Sequence, residues 1–386
     1  MSTTRTSALA IAALLSAFLG QCLRGADFTW QEQETTLATH QSAAVAAWTD
    51  ENGEPTTDAE SPVADGGHVA ESPLLDACDR CDSATPCGCG ATCADWLGCG
   101  SSRCCDRHQY RRYCGKGRLL GVFAPTDPRF NNFISPMTNP VYFEDPRNLT
   151  EARAIFLDHD IPTSVLGGGH IQLVAVQLRA ALTDRLSVIA TKDGYIFNGN
   201  GPPINGWADI NLGLKYNLYA DALRQRLLSV GTRYAMPTGT PKALQGLGDG
   251  QFDLFLSGGT QLGKYSHFLS NAGFRLACNP SLGNDQFWWS NHLDRRLANI
   301  PLYGLLELNW YNYLSNGTAG VPGLGGLDLY NLGSSGIAGN NVVTGAGGIK
   351  YKPTINSELG VCYEVPLTGR RDIINGRLTV DLILRY

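Results

Sequence analysis

Charge is scarce in this sequence. Asp, Glu, Lys and Arg make up 17% of its 386 residues, against roughly 25% in ordinary soluble domains. Basic surplus is missing as well: 30 Lys and Arg stand against 35 Asp and Glu, a net charge of -5. No basic stripe interleaved with aromatics offsets that balance, so a nucleic-acid partner held by phosphate neutralisation is excluded. Beyond Leu19 no stretch approaches the roughly 18 consecutive apolar residues of a spanning helix. Catalytic groupings are absent too. Ser266 and His267 are neighbours and would point to opposite faces of a strand, which defeats a nucleophile and base pair. His159, His170 and His292 stand alone in the sequence. The Gly246-Leu247-Gly248-Asp249-Gly250 stretch starts a G-x-G pattern but leads into a strand, so the helix that would cradle a phosphate is missing. These absences predict a protein that is not an enzyme and carries no cofactor.

What is present points to β structure. Hydrophobic residues reach 43%, enough for a large folded unit, and 45 glycines exceed the usual share of about 7%. At the N-terminus, Arg5 precedes an apolar run from Ala8 to Leu19 that reads as a secretory leader over residues 1–25. Cys22 follows Leu19, Gly20 and Gln21, a weak lipoprotein box because Gln21 takes the place of a small residue. Residues 26–77 form an acidic linker. Eleven acidic side chains lie between Asp27 and Asp76, with no Lys or Arg, a composition that predicts disorder.

Nine of the twelve cysteines fall in residues 78–117: Cys78, Cys81, Cys87, Cys89, Cys93, Cys99, Cys104, Cys105 and Cys114. In an exported chain this density predicts a disulfide-stapled module. Cys78 and Cys81 form a C-x-x-C pair near His108, the beginning of a soft metal site. No second C-x-x-C follows at ribbon spacing, so disulfides are favoured and no metal is assigned. Cys278 and Cys362 are isolated and read as small buried residues.

From Glu151 onward, alternation of period two is the main signal. Ile210, Leu212, Leu214, Tyr216 and Leu218 alternate with Asn211, Gly213, Lys215 and Asn217. Leu359, Val361, Tyr363 and Val365 alternate with Glu358, Gly360, Cys362 and Glu364. The chain closes on Leu378, Val380, Leu382, Leu384 and Tyr386 against Arg377, Thr379, Asp381 and Arg385. Twelve strands are predicted, near 151–161, 169–180, 184–191, 207–219, 225–237, 250–261, 266–277, 285–293, 301–313, 341–351, 355–366 and 376–386. Their length, about ten residues, is that of a transmembrane β-strand. Alternate connections are short (Thr183, 220–224, 262–265, 294–300, 352–354) and longer (193–206, 237–249, 279–284, 314–340, 367–375), as in barrels with short periplasmic turns and long outer loops. A secreted β-sandwich would alternate too, but its strands usually run five or six residues. The expectation is therefore an all-β, antiparallel transmembrane β-barrel of about 12 strands, with a disordered acidic and Cys-rich N-terminal extension. Tyr216, Tyr219, Tyr234, Trp310, Tyr311, Tyr313, Tyr351 and Tyr363 would form its interfacial girdles. Residues 118–150, with five prolines among five bulky aromatics, fit no strand and are expected against or inside the periplasmic mouth.

Met236-Pro237-Thr238-Gly239, the Gly246–Gly250 stretch leading into Phe252-Asp253-Leu254, and Trp310 ending a strand resemble outer-membrane β-barrels grouped with the meta-pathway of phenol degradation, a transporter or porin-like family. The likeness spans roughly residues 150–386. It implies an outer-membrane location, passage of small solutes, hydrophobic or aromatic ones among them, and Tyr386 as the aromatic signal read by the barrel-assembly machinery. It supplies no ligand or catalytic residues. A closed barrel would turn the polar strand face inward, where Lys215, Arg233, Asp253, Arg275, Glu307, Glu358, Asp381 and Arg385 become lumen-lining candidates. Two readings of them stay open: a polar passage, or a paired network that closes it. The second would suit an anchoring barrel whose Cys-rich module binds a cell-envelope partner. Outer-membrane lipid is the expected surroundings, so Leu214→Arg should be damaging and the lumen-facing Asn217→Arg tolerated.

Overall fold

The alternation becomes a closed ring. A computed structural model describes residues 117–386 apart from Leu166, Pro203, Ala298 and Asn299, so the leader, the acidic linker and the nine clustered cysteines lie outside the described residues. The strands are β1 (Glu151–Ile161), β2 (Gly169–Ala181), β3 (Leu186–Ala190), β4 (Gly194–Asn198), β5 (Gly206–Trp207), β6 (Ile210–Asp221), β7 (Arg226–Met236) and β8 (Gln251–Leu262). They continue as β9 (Ser266–Ala277), β10 (Gln286–Leu297), β11 (Leu302–Tyr313), β12 (Asn341–Thr354), β13 (Ser357–Pro366) and β14 (Gly376–Arg385). Each pairs antiparallel with its neighbours, and β1 pairs with both β2 and β14. The closing register runs from Glu151 opposite Arg385 to Asp160 opposite Gly376, so the sheet has no free edge there to leave backbone groups unpaired.

Two staves of this barrel are interrupted. One half of β2 pairs with β3 and the other half with β4, so β3 and β4 are a single stave broken at Thr191–Asp193. Likewise β5 and β6 are one stave broken at Ala208–Asp209. Counted by staves, the barrel is a closed twelve-stranded antiparallel ring, the number expected. The link expected over 193–206 is therefore strand over its first part, because Gly194–Asn198 still finds a partner edge on β2. The expected 294–300 turn also shrinks, since β10 continues to Leu297 opposite Leu302.

The barrel is polar inside and apolar outside. Leu212, Tyr216 and Leu218 on β6, Leu254 and Leu256 on β8, Leu306 and Leu308 on β11, and Leu382 and Leu384 on β14 are exposed. Their neighbours Lys215, Asn217, Asp253, Glu307, Asp381 and Arg385 are buried. Water would penalise that arrangement over so wide a surface, whereas hydrocarbon around the ring rewards it. Of the aromatics assigned to the girdles, Tyr216, Tyr219, Tyr351 and Tyr363 face outward. Tyr311 and Tyr313 instead turn inward and are fully covered, because alternation places odd-numbered positions of β11 inside.

Residues 117–150 do not stop at the mouth. They enter beside the short turns, where the Thr126 amide donates to the Tyr386 carbonyl and the Ala124 amide to that of Ala181. The chain then climbs inside the ring to Tyr142, whose hydroxyl donates to Gln286 at the long-loop end of β10. It returns to Thr150, which bonds the Ala124 carbonyl, closing a hairpin-like plug within the lumen. Its aromatics explain the depth. Phe130, Phe133 and Phe143 pack with Leu227 and Leu269, and Tyr142 stacks on Trp288 with centroids 4.3 Å apart. Those rings need a buried environment that a segment at the mouth would not provide.

Candidate functional site: the plugged lumen

All eight lumen candidates lie on the inward face, and the plug brings them together. Nearest the short turns, the Arg385 guanidinium bridges Glu151 (2.7 Å) and Glu358 (2.6 Å) and donates to Ser135 Oγ of the plug (2.9 Å). Glu358 also accepts the plug's Ser135 amide at 3.1 Å. Asp381 takes Lys350 at 2.9 Å and Arg153 at 2.8 Å. The approach is close at Gly360, where a Cβ would lie 2.5 Å from Met137 Sδ and 2.6 Å from Asp381 Oδ1.

At mid-height, Lys215 Nζ donates to Glu144 Oε1 (2.7 Å) and to the carbonyls of Asp145 (2.5 Å) and Arg147 (2.8 Å). Arg179 grips the same Glu144 with two bonds of 2.9 Å. On the opposite wall Glu307 accepts the Met137 amide (2.7 Å) and both the amide and hydroxyl of Thr138. Its other partner is His292 at 2.6 Å. Towards the long loops, Arg233 donates to the carbonyls of Val141 and Tyr142. Arg275 lies 4.2 Å over the Tyr142 ring, and Asp253 holds Arg275 at 3.0 Å and Arg233 at 3.6 Å.

Burial of this many charges is costly unless each is paired and hydrogen-bonded, and the plug supplies much of what the walls lack. Glu144 shows the balance. Burial pushes its carboxyl up, but Arg179 and Lys215 outweigh that and hold it at about 2 against an ordinary 4.5. Asp145 is likewise held below its ordinary value, with Arg147 overcoming burial. Charges of both signs meet in close pairs in the lumen, as Lys215 does with Glu144 and Asp253 with Arg275.

Several partners escaped the sequence reading. Arg153, Arg179, Lys350, Glu364 and Arg377 occupy inward positions of strands already recognised, so the same alternation pointed to them. His292 does not stand alone: it bridges Glu307 and Asp294, and Asp294 also meets His267 at 2.8 Å. His170 likewise pairs with Asp158. Apart from His292 and Asp294, two residues apart on β10, these contacts join residues on different strands, which a linear pattern does not align. Asn217 is no open lumen position, since its amide donates to the plug's Pro146 carbonyl and space for an Arg is lacking. Cys362 is free and buried, but Cys278 is disulfide-bonded rather than isolated. Tyr386 ties the end of the ring to the plug, its hydroxyl donating to the Gly117 carbonyl at 2.7 Å.

Above the plug, the long loops enclose an apolar cavity of about 420 Å³. Ile161, Ile204, Leu332, Ile373 and Tyr330 form its buried floor, while Leu247, Leu282 and Val321 stand exposed at the rim. Tyr330 also borders a separate pocket of about 30 Å³ beside Val141 of the plug, no more than a water or two.

No family model matches the chain, and no curated protein matches it. Among solved structures, it is similar to an outer membrane channel from Pseudomonas putida F1 at 13% identity and a TM-score of 0.43, over 66% of this chain and all of that one. It is also similar to the KdgM porin, at 8% identity and 0.37 over 61% and 99% of the two chains. The beta domain of the Bordetella autotransporter BrkA gives 12% identity and 0.37, over 62% and 100%. The barrel assignment rests on the strand pairing itself, and the phenol-pathway grouping gains no family match beyond the motifs that suggested it.

Proposed function

We propose that this protein is an outer-membrane channel for small neutral solutes, hydrophobic and aromatic ones among them, whose resting state is closed by the internal plug. The observation that carries this reading is the way the plug is held. Its two ends lie together beside the short turns, and side-chain bonds fasten it along the lumen, so it can withdraw without parting any strand pair. The apolar outer belt supports residence in lipid, and barrel-assembly machinery would be needed to place such a ring there. The paired signs in the lumen support passage of neutral solutes over ions.

A second reading has its own support: a lumen filled from short turns to long loops is what an anchoring barrel with a cell-envelope partner would show. Swelling of proteoliposomes in neutral solutes separates the two. A channel swells measurably, and faster when the plug is weakened by Glu144→Gln. An anchor swells in neither form, and that result would remove the channel reading.

A further inference from the structure

The cavity under the long loops has a chemistry more specific than its shape. Eleven of its lining side chains are aliphatic, contributed by loops from all around the ring, and Asp, Glu, Lys, Arg and His are absent from the described residues that line it. Water gains little from such a surface, and an apolar cavity of roughly 150 Å³ already suffices for a molecule the size of benzene. At about 420 Å³ this space suits a two-ring molecule.

One polar group breaks the pattern. Tyr330 borders both the cavity and the separate narrow pocket. It is buried, and among the described residues its hydroxyl has no hydrogen-bond partner. Leaving a buried hydroxyl unmatched is costly, so the position is one that a ligand oxygen would relieve. Burial, followed by Asp328, pushes this hydroxyl above its ordinary range, so it keeps its proton and is available as a donor. The exposed Leu247, Leu282 and Val321 give an apolar ligand a route in from outside.

We propose that the long-loop cavity is a binding site for a neutral, mostly apolar molecule of about two rings with one hydrogen-bond-accepting oxygen, which the Tyr330 hydroxyl receives. This deepens the channel reading and rests on it for the ligand's onward route, but binding itself is measurable without transport.

The test uses the full chain in lipid nanodiscs, with equilibrium dialysis against 2-acetonaphthone and against 2-ethylnaphthalene, which lacks the oxygen, and with empty nanodiscs as background. The ketone should bind at one site per chain, about fivefold tighter than the hydrocarbon, the size expected of one net hydrogen bond. Tyr330→Phe should bring the ketone down to the hydrocarbon's affinity, and Leu247→Trp, at the rim, should weaken both. Heat-modifiable gel migration verifies that each variant is folded. Ketone uptake no greater than in empty nanodiscs would overturn the site. Binding untouched by Leu247→Trp would place it elsewhere and overturn the proposal equally. Equal affinities with no effect of Tyr330→Phe would overturn the ligand class. Proteoliposome swelling measured on the same preparations keeps the two ideas apart: swelling without binding refutes the site alone, and binding without swelling refutes the channel alone.

Discussion

Glu144 is where the plug is most heavily bonded to the wall, so Glu144→Gln is the most informative single change. The substitution keeps the shape and removes the charge. Arg179 then retains Glu151, and Lys215 retains the carbonyls of Asp145 and Arg147, while the new amide presents donors to groups that are themselves donors. Two routes give the cost. A carboxyl held at about 2 rather than 4.5 reflects about 3 kcal/mol of preference for the charged form in place. Breaking a buried ion pair by removing one partner costs about 3–5 kcal/mol. The ring is held by its strand ladder and not by Glu144, so the loss falls on plug docking. A change of 3 kcal/mol raises the undocked fraction roughly 150-fold.

Planar-bilayer recordings read that fraction. At neutral pH the variant should open far more often than wild type, and trypsin should cut it within residues 117–150 while the strands stay intact. Wild type should approach this behaviour in acid. The folded-state value of Glu144 is depressed, so its stabilisation is complete above about 4.5 and is lost as pH falls from there through about 2. The variant should show no such opening in that window. Equal open probability and equal protease resistance in the two proteins at neutral pH would refute the argument that Glu144 fastens the plug.

Three further outcomes follow. Gly360→Ala puts a methyl group against Met137 Sδ and Asp381 Oδ1, and the added strain of about 1–3 kcal/mol should raise conductance without loss of heat-modifiable migration. Leu214→Arg, on the outer face, should cost about 2–4 kcal/mol near the bilayer midplane, read as a lower midpoint for unfolding by urea in lipid vesicles; a midpoint equal to wild type would argue against lipid at that face. Asn217→Arg forces a second cation beside Lys215 into the space occupied by the Pro146 carbonyl, so it should open the channel or reduce assembled protein. Wild-type conductance and yield for this variant would show that the lumen is roomier than the packing implies.

The strand ladder was legible because a barrel imposes one rule on every stave: period two, with apolar residues facing one way. That rule alone places Lys215, Arg233 and Arg385 inward. It failed at Thr191–Asp193 and Ala208–Asp209, where the backbone leaves the ladder and the side-chain pattern gives no warning. It also could not see the plug. Residues 118–150 have no periodicity, since their partners are spread around a ring: Ser135 meets Glu358, Thr138 meets Glu307 and Glu144 meets Lys215. Only the aromatic content hinted that the segment was more than a linker. The histidines show the same limit, because His292 and Glu307 lie on neighbouring strands whose register fixes their contact.

On the proposed reading, a polar passage and a paired network are two states of one lumen. Much of the wall's charge finds its partner on the plug and not across the ring: Lys215 has Glu144, and Arg233 has the carbonyls of Val141 and Tyr142. Other charges pair along the wall itself, as Arg385 does with Glu151 and Glu358, and Arg377 with Glu364. Withdrawing the plug would therefore expose some charges to water, which can solvate them, while leaving the wall-to-wall pairs to keep the staves in place. A barrel stabilised only by its plug would collapse or leak on release. The proposed channel needs wall pairs that outlast the plug's withdrawal, and Arg385 with Glu151 and Arg377 with Glu364 supply them.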